Sequence, residues 1–414
     1  MRAPDIHKKL KIVFYRPHSN IWFKNPVRNI LKKQLLPNKY ECLLNNFLAS
    51  GHKIYFTTAL LVDFGFKNFI KSMVEPFELL MWCILNKISI NNVGFIFRKQ
   101  ALADKDILIS MYYGNYTYET SNIAKSGKKL AEYLSDVDIL KVVHMTHYAY
   151  NPSIGASNLE IFKPDLLVAE NNLAANSDFF RKYFSYLEGN FYHLPYTPAS
   201  RFVRRTPFNG RLNKMVASGS ITFKMKDPEF TNFYSVDELQ PLRRLLYENA
   251  SRFPNELDSQ ISDLNASRSD ATQISKGSFG QRLWNRLFYK HPQIDYYKRD
   301  IVVTYNSYMM FTVPEEICNL PAIGFVEGMA CGCAFFGLDD PMYRNLGLVP
   351  GVHYVAYDGS LSDLMEKVRF YQSNTAALEE IANSGYDFVH RHLTPQIVYK
   401  KFMDKLQTDL ANRV

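Results

Sequence analysis

The sequence lacks a segment that would place it in a membrane. Its most apolar stretch, residues 77–90 (FELLMWCILNKISI), contains Glu78, Asn86 and Lys87. That stretch is shorter than the roughly 20 apolar residues that a membrane-spanning helix needs. The first residues carry charges with no apolar run behind them, so no secretory signal is predicted. We therefore expect 77–90 to form a buried helix of a globular protein.

Cysteine is scarce and scattered. The five cysteines are an odd number and show no pairing pattern. Cys331 and Cys333 are separated by one residue, which is too close for the usual zinc spacing, and no second Cys/His pair lies nearby. This pattern favours a reducing compartment, the cytoplasm, and no metal site.

Several catalytic motifs are also missing. There is no G-x-G-x-x-G of nicotinamide or flavin sites, no P-loop of ATPases and no G-x-S-x-G elbow of hydrolases. Asp104/Asp106 and Asp136/Asp138 match a D-x-D metal motif, but both pairs precede apolar strands and such spacing is common by chance. We therefore expect neither a cofactor nor a required metal.

Positive charge is concentrated at one end of the chain. Apolar residues make up 47% and charged residues 21% of the 414, as in ordinary globular proteins. The net charge is +9, and residues 1–40 hold ten Lys or Arg against Asp5 alone. A solvated face and an anionic membrane surface both explain this segment. Nucleic acid is not expected, since no zinc finger, RNP motif or helix-turn-helix pattern is present.

Short apolar runs alternate with helical segments along the whole chain. Strands are predicted at 11–16, 51–56, 106–111, 140–145, 164–170, 191–194, 214–218, 300–305, 334–337 and 353–357. Helices are predicted between them, among them 121–134, 177–187, 361–373 and 376–390. Residues 195–210 are predicted to be a linker and 255–281 a surface loop with short helices. This alternation predicts two α/β halves with parallel sheets, and a ligand site beyond the carboxyl ends of the strands.

One segment carries a family resemblance. Residues 325–337 read FVEGMACGCAFFG, which resembles the donor-site signature E-A-M-A-C-G-x-P-V of GT-B glycosyltransferases. The register downstream agrees through 347–355, 364–368, 378–385 and Leu393-Thr394, and 141–148, 193–195 and 209–220 are similar to earlier segments of that family. The resemblance implies two Rossmann-like domains facing each other across a cleft. Residues 1–200 would bind the acceptor, 201–390 the nucleotide-sugar, and helix 391–414 would cross back to the first domain.

The resemblance implies specific donor contacts. Glu327 would hold the ribose, and the backbone around Gly324 would lie close to the phosphates; the alternative is a glutamate that caps a helix. Eight residues before Glu327, where the family has a glutamate that meets the donor sugar, this chain has Asn319. Glu316 is the candidate to replace that glutamate. Retention or inversion at the sugar therefore stays open.

Phosphate charge needs cations or hydrogen-bond donors. Where retaining relatives place Arg after a glycine, this chain has Gly219 followed by Ser220, and Lys224 lies five residues after the glycine. We predict that hydroxyls donate to the diphosphate from Ser218, Ser220 and Thr222, with Lys224 or Lys226 supplying charge. The alternative for Lys224 is a solvated turn.

Two histidines follow a predicted strand of the first half. His147 matches the family histidine that contacts the sugar ring, and a histidine there can also be the general base for an acceptor hydroxyl. His144 is the second catalytic candidate, and ordinary packing is the alternative for both. His18 and Glu170 are candidates on the acceptor side.

Together these features predict a glycosyltransferase that moves a sugar from a nucleotide-sugar donor to a glycan or glycolipid acceptor. The many Asn, Lys, Ile, Phe and Tyr residues suggest an AT-rich bacterial genome, which favours surface polysaccharide synthesis, either lipopolysaccharide or capsule. The protein would be cytoplasmic, with the basic segment at the inner face of the membrane. A nucleotide-sugar epimerase of the same architecture and a non-catalytic nucleotide-sugar or glycan-binding protein are the alternatives. The sugar, the nucleotide base, the acceptor and the oligomeric state are left open.

Overall fold

The computed structural model describes residues 10–15, 39–57, 76–263 and 299–413, except for 78, 82, 86, 104–105, 111, 118–123, 188 and 222–223. The first sheet has seven parallel strands in the order β3-β2-β1-β4-β5-β6-β7. They are β1 (Lys11–Tyr15), β2 (Lys53–Thr57), β3 (Val93–Ile96), β4 (Asp106–Ser110), β5 (Leu140–His144), β6 (Leu166–Ala169) and β7 (Phe191–His193). All residues of β4, β5 and β6 are buried, because helices cover both faces of a parallel sheet.

The second sheet has five parallel strands in the order β12-β11-β10-β8-β9. They are β8 (Leu212–Ile221), β9 (Leu257–Asp263), β10 (Tyr308–Thr312), β11 (Ala334–Leu338) and β12 (Val355–Tyr357). The prediction of two parallel α/β sheets is therefore confirmed.

Helices join the strands within each half. In the first half they are α1 (Glu41–Ala49), α2 (Ala124–Leu134), α3 (Pro152–Phe162), α4 (Leu173–Asn176) and α5 (Asp178–Phe184). In the second they are α6 (Pro228–Tyr234), α7 (Pro241–Asn249), α8 (Ile301–Ser307), α9 (Gly324–Ala330), α10 (Pro341–Arg344), α11 (Leu361–Ser373) and α12 (Thr375–His392). The last helix is α13 (Pro395–Asn412).

Helix α13 packs against the first sheet's helices and strands. The Phe402 ring stacks on Tyr192 at 5.4 Å and meets Phe47 of α1 edge-on at 6.1 Å. Beyond the helix, Arg413 pairs with Asp138 at 2.6 Å and Asp165 at 2.8 Å. The last helix thus connects the end of the second half to the first half.

The apolar segment 77–90 is only partly as predicted. Residues within 76–85 are helical, and Leu79 and Cys83 are fully buried. Phe77, Ile84 and Leu85 are more than half exposed, so the helix buries one face rather than its whole surface. In the part of the chain that the structure describes, no helix has the length and apolarity to cross a bilayer.

Two secondary-structure predictions were wrong. Residues 300–305 were predicted to be a strand but begin helix α8, because the Asp300 carboxylate accepts hydrogen bonds from the amides of Val302 and Val303. The strand follows directly as β10. The predicted loop 255–281 contains β9, which pairs with β8 along its whole length; residues 264–298 lie outside the described part of the chain.

Candidate active site

Both sheets have a point at which the strand order reverses. It lies between β1 and β4 in the first sheet and between β8 and β10 in the second. Open α/β sheets bind ligands beyond the carboxyl ends of the strands at such points. The segment after β1, which includes the candidate His18, lies outside the described residues.

A tight turn after β10 carries Glu316. This Glu316 turn (residues 316–320) closes through hydrogen bonds from the Glu316 amide to the Leu320 carbonyl (2.9 Å) and from the Asn319 amide to the Glu316 carbonyl (3.1 Å). Asn319 is left-handed, with φ 61°, which asparagine tolerates better than most residues. Asn319 therefore shapes the turn, at the position where the family pattern has a glutamate.

A second turn, after β5, carries His147. In this His147 turn (residues 145–150), His147 is also left-handed, with φ 58°. Its ring meets those of Tyr112 and Tyr150 edge-on, with centroids 6.4 and 6.1 Å away. Its Nδ1 is 3.8 Å from Glu316 Oε1 and has no hydrogen-bond partner among the residues described. The fold thus brings two predicted catalytic residues together from separate sheets.

The environment of His147 disfavours its charged form. Burial lowers the pKa of His147, and the charge of Lys39 lowers it further, against the opposing carboxylates of Glu316 and Glu170. The side chain is still 25% exposed, so it is reachable from the cleft. The imidazole is therefore neutral at pH 7 and able to accept a proton.

His144 and Glu170 lie deeper, at the ends of β5 and β6. Both side chains are fully buried, with His144 Nε2 3.7 Å from Glu170 Oε1. The Tyr196 hydroxyl donates to Glu170 Oε1 at 2.9 Å, and Lys39 Nζ donates to the Tyr196 hydroxyl at 3.1 Å. Burial raises the pKa of Glu170, but the charges of His144 and Lys39 outweigh it, and the net shift is downward. In this conformation the pair faces the interior instead of the cleft.

Glu327 lies in the first turn of α9. Its residue is 7% exposed, and burial raises its pKa to about 7 against the opposing charge of Arg201. Among the described residues, no hydrogen bond or ion pair to its carboxylate occurs. Gly324 begins the same helix, and a Cβ there would lie only 2.7 Å from the Val313 side chain. This position therefore requires glycine for close packing.

The predicted phosphate contacts separate into two groups. Ser218 Oγ lies 3.2 Å from the Tyr305 hydroxyl inside the domain, and Gly219 has φ 146° at the end of β8. Ser220 is half-buried beside it. Lys224 instead extends over the surface and pairs with Asp237 at 2.9 Å. Ser218, Gly219 and Ser220 therefore lie together at the end of β8, whereas Lys224 is paired with Asp237.

Sequence reasoning missed Arg243. This buried residue of α7 donates from Nε to the Pro314 carbonyl and from Nη1 to the Ser220 carbonyl, each at 3.1 Å. It places a guanidinium between the ends of β8 and β10, where the strand order reverses. No motif marks Arg243, because its role depends on packing and α7 is an ordinary amphipathic helix.

Comparison with known proteins supports the same architecture. Residues 326–413 match the family model of Glycosyl transferase family 90. HepE from Anabaena, in complex with UDP, is 11% identical over 97% of this chain and 100% of its own, with a TM-score of 0.52. Sucrose-phosphate synthase from Thermosynechococcus elongatus is 11% identical over 98% and 100%, with a TM-score of 0.54. A glycosyltransferase from Rickettsia africae is 10% identical over 98% and 100%, with a TM-score of 0.51.

A sequence search among curated proteins found no match. At these identities the structural likeness shows the fold, which is GT-B, and the family match covers the segment that carries the donor-site signature. The prediction of the GT-B fold is therefore confirmed, and the family match over residues 326–413 agrees with the predicted glycosyltransferase.

Proposed function

We propose that this enzyme transfers a sugar from a nucleotide-sugar held by the second domain to an acceptor hydroxyl bound by the first. The main support is the short distance between two residues that follow strands of separate sheets: His147 Nδ1 lies 3.8 Å from Glu316 Oε1. HepE, which shares this fold, was crystallised with UDP, so a uridine nucleotide is the first donor to test.

The donor would be held by groups of the second domain. The Glu327 carboxylate has no protein partner among the described residues and would accept hydrogen bonds from the two ribose hydroxyls. The diphosphate would lie against Gly219, Ser220 and the Gly324 backbone, with Arg243 supplying positive charge. Hydrogen bonds to charged groups are stronger than neutral ones, and burial strengthens them further.

The reaction would be a displacement at the anomeric carbon. A bond forms from the acceptor oxygen to that carbon, and the bond to the diphosphate oxygen breaks. Neutral His147 takes the hydroxyl proton, and Glu316 stabilises the resulting imidazolium. Arg243 stabilises the charge on the departing diphosphate. A single displacement of this kind inverts the anomeric configuration.

The acceptor would be a glycan or glycolipid of bacterial surface polysaccharide, carried at the cytoplasmic face of the membrane. Two features support a membrane-borne acceptor. The basic residues of the segment 1–40 would attract anionic lipid, and Phe77, Ile84 and Leu85 expose apolar surface in the first domain.

A thermal-shift panel tests the donor site. UDP, GDP, CDP, ADP, CMP and dTDP are each added to wild type, to Glu327→Ala and to Glu315→Gln, a control change at another buried glutamate. A ligand at 100 times its Kd stabilises by about 2.7 kcal/mol. We expect one nucleotide to stabilise wild type and Glu315→Gln but not Glu327→Ala. No shift with any nucleotide would favour the non-catalytic alternative.

Product analysis tests the reaction. The preferred nucleotide-sugar is incubated with lipid-linked acceptors, and the products are followed by proton NMR. We expect a new glycoside of inverted configuration, absent in His147→Asn although that variant still binds nucleotide. Retention would contradict His147 as the base, and a changed sugar still attached to the nucleotide would identify an epimerase.

A further inference from the structure

Two hydrogen bonds join the first domain to the Glu316 turn, one from the His147 turn and one from the segment that follows β6. The Tyr148 hydroxyl donates to the Cys318 carbonyl at 2.9 Å, and Asn171 Nδ2 donates to the Asn319 carbonyl at 2.8 Å. Tyr148, Asn171 and Cys318 are all fully buried. Both donors belong to the first domain and both acceptors to the second, so these bonds hold the two domains together at the site.

The bonds adjoin the proposed reacting groups. Tyr148 directly follows His147, and Cys318 and Asn319 lie within the turn that begins at Glu316. His147 and Asn319 both have left-handed backbones, and for a histidine this conformation is strained and persists when the surroundings hold it there. The distance between His147 and Glu316 thus depends on how firmly the two turns are joined.

Other residues of the first domain hold both donor side chains in place. The Tyr148 ring lies among Phe179, Phe180 and Phe184, with centroids 5.7 to 6.2 Å away, and its oxygen also lies 2.6 Å from Ser177 Oγ. Asn176 Nδ2 donates to Asn171 Oδ1 at 2.6 Å, which orients the Asn171 amide.

On the second domain, the Ile317 amide donates to the Leu239 carbonyl at 2.9 Å. Phe230 of the adjoining segment packs against Phe179 of the first domain, with centroids 6.1 Å apart. The contact therefore joins two turns that are each held by further contacts within the protein.

We infer that Tyr148 and Asn171 are positioning residues that form an interdomain latch and assemble the His147–Glu316 pair. This inference rests on the proposed function for its catalytic meaning, but the latch itself can be measured without any substrate. Neither residue faces the cleft, so both act through the turns they join. The competing explanation is that Tyr148 and Asn171 only add stability to the core.

Cys318 supplies a direct readout of the latch. Its thiol is buried at the interface, and burial raises its pKa, so the closed protein reacts slowly with thiol reagents. Opening of the latch exposes it. Cys331 and Cys333 are buried within the second domain and report global unfolding in the same sample. Cys42, which is half-buried, is replaced by serine in every protein compared.

The experiment compares Tyr148→Phe and Asn171→Asp with Tyr113→Phe. Tyr113 is an equally buried tyrosine beside Phe184, and its hydroxyl bonds to the Asn151 carbonyl within the first domain. Asn171→Asp keeps the acceptor for Asn176 but loses the donor to Asn319. Labelling with N-ethylmaleimide is followed by peptide mass spectrometry at each cysteine.

We expect both latch variants to label Cys318 about tenfold faster, because a buried hydrogen bond has been lost. Cys331 and Cys333 should label at the wild-type rate, and Tyr113→Phe should resemble wild type throughout. In transfer assays we expect kcat to fall by a similar factor while the KM for the donor stays within about twofold, since the donor groups all lie on the second domain.

Three results would overturn the latch: Cys318 labelling no faster in Tyr148→Phe than in Tyr113→Phe, equal acceleration at Cys318, Cys331 and Cys333, or a raised donor KM with unchanged kcat. Labelling is measured on the protein without ligand. Faster labelling of Cys318 alone, with no transfer activity in wild type, would therefore support the latch and reject the proposed function.

Discussion

Two buried glutamates on opposite sides of the cleft differ in what surrounds them. Glu170 in the first domain lies near His144 and accepts a hydrogen bond from Tyr196, and its pKa is lowered although burial alone would raise it. Glu327 in the second domain has no hydrogen bond or ion pair to any described residue, and burial raises its pKa to about 7 against the opposing charge of Arg201. The carboxylate thus has a tyrosine hydroxyl and a histidine beside it in the first domain, although Glu170 Oε2 lacks a hydrogen bond, whereas no described residue donates to Glu327 in the second.

If the proposed function holds, the difference separates a structural carboxylate from a ribose-binding carboxylate. A buried charge without partners is costly, and proteins keep such groups mainly where a ligand supplies what is missing. Glu170 stabilises the fold when the pH is above about 4.5, because its pKa is lowered, and this contribution is lost as the pH falls. Glu327 behaves oppositely: its contribution is present below about pH 4.5 and is lost as the pH rises through 7.

Glu170→Ala gives the largest expected effect. It removes the carboxylate that lies beside buried His144 and accepts from Tyr196, and breaking a buried ion pair from one side costs about 3–5 kcal/mol. Urea unfolding followed by circular dichroism at pH 7 measures the loss. The control is Glu380→Ala, an exposed change on α12. A loss for Glu170→Ala as small as that of the control would show that the cluster does not depend on this carboxylate.

Glu327→Gln should raise the free energy of unfolding at high pH, whereas Glu170→Ala lowers it. A rise of the pKa from 4.5 to about 7 corresponds to about 3 kcal/mol of lost stability at pH 8, and glutamine cannot ionise. We expect the variant to match wild type at pH 4 and to exceed it by about 3 kcal/mol at pH 8 in urea unfolding. Its Kd for the preferred nucleotide should rise at least tenfold in calorimetry, through loss of charge-assisted hydrogen bonds. Equal stability at both pH values would mean that Glu327 is not held in a desolvated site.

Tyr196→Phe is expected to have an intermediate effect. It removes the hydroxyl that donates to Glu170 and accepts from Lys39, and a hydrogen bond to a charged group contributes about 1.5–3 kcal/mol. The matched control is Tyr192→Phe, because the Tyr192 hydroxyl makes no hydrogen bond within the described chain. If the two variants unfold at the same urea concentration, Tyr196 does not support the charge on Glu170.

Lys224→Ala should have the smallest effect. Lys224 was predicted to contact phosphate, but its pair with Asp237 lies on the surface, and such pairs contribute little. We expect its Kd for the nucleotide to stay within about twofold of wild type, whereas Arg243→Gln raises it about tenfold. The reverse order in titration calorimetry would restore Lys224 as the phosphate cation.

The pattern of apolar runs predicted much of the fold because parallel strands covered on both faces must be apolar along their length. The run 140–145 matches β5, and 106–111 matches β4. The same criterion failed at 300–305, since β-branched residues also occur in helices when a capping aspartate starts one. Local propensity alone did not decide between a strand and a helix for residues 300–305.

The sequence by itself determined two α/β halves, a donor-site signature and the candidates Glu327, His147 and Glu316. Tertiary structure alone decided that His147 meets Glu316, that Glu170 lies buried beside His144 and Tyr196, and that Arg243 rather than Lys224 lies at the strand ends. The physical reason is that signatures and apolar periodicity are local along the chain. Contacts between distant side chains, and the pKa values that follow from them, depend on how the two domains pack.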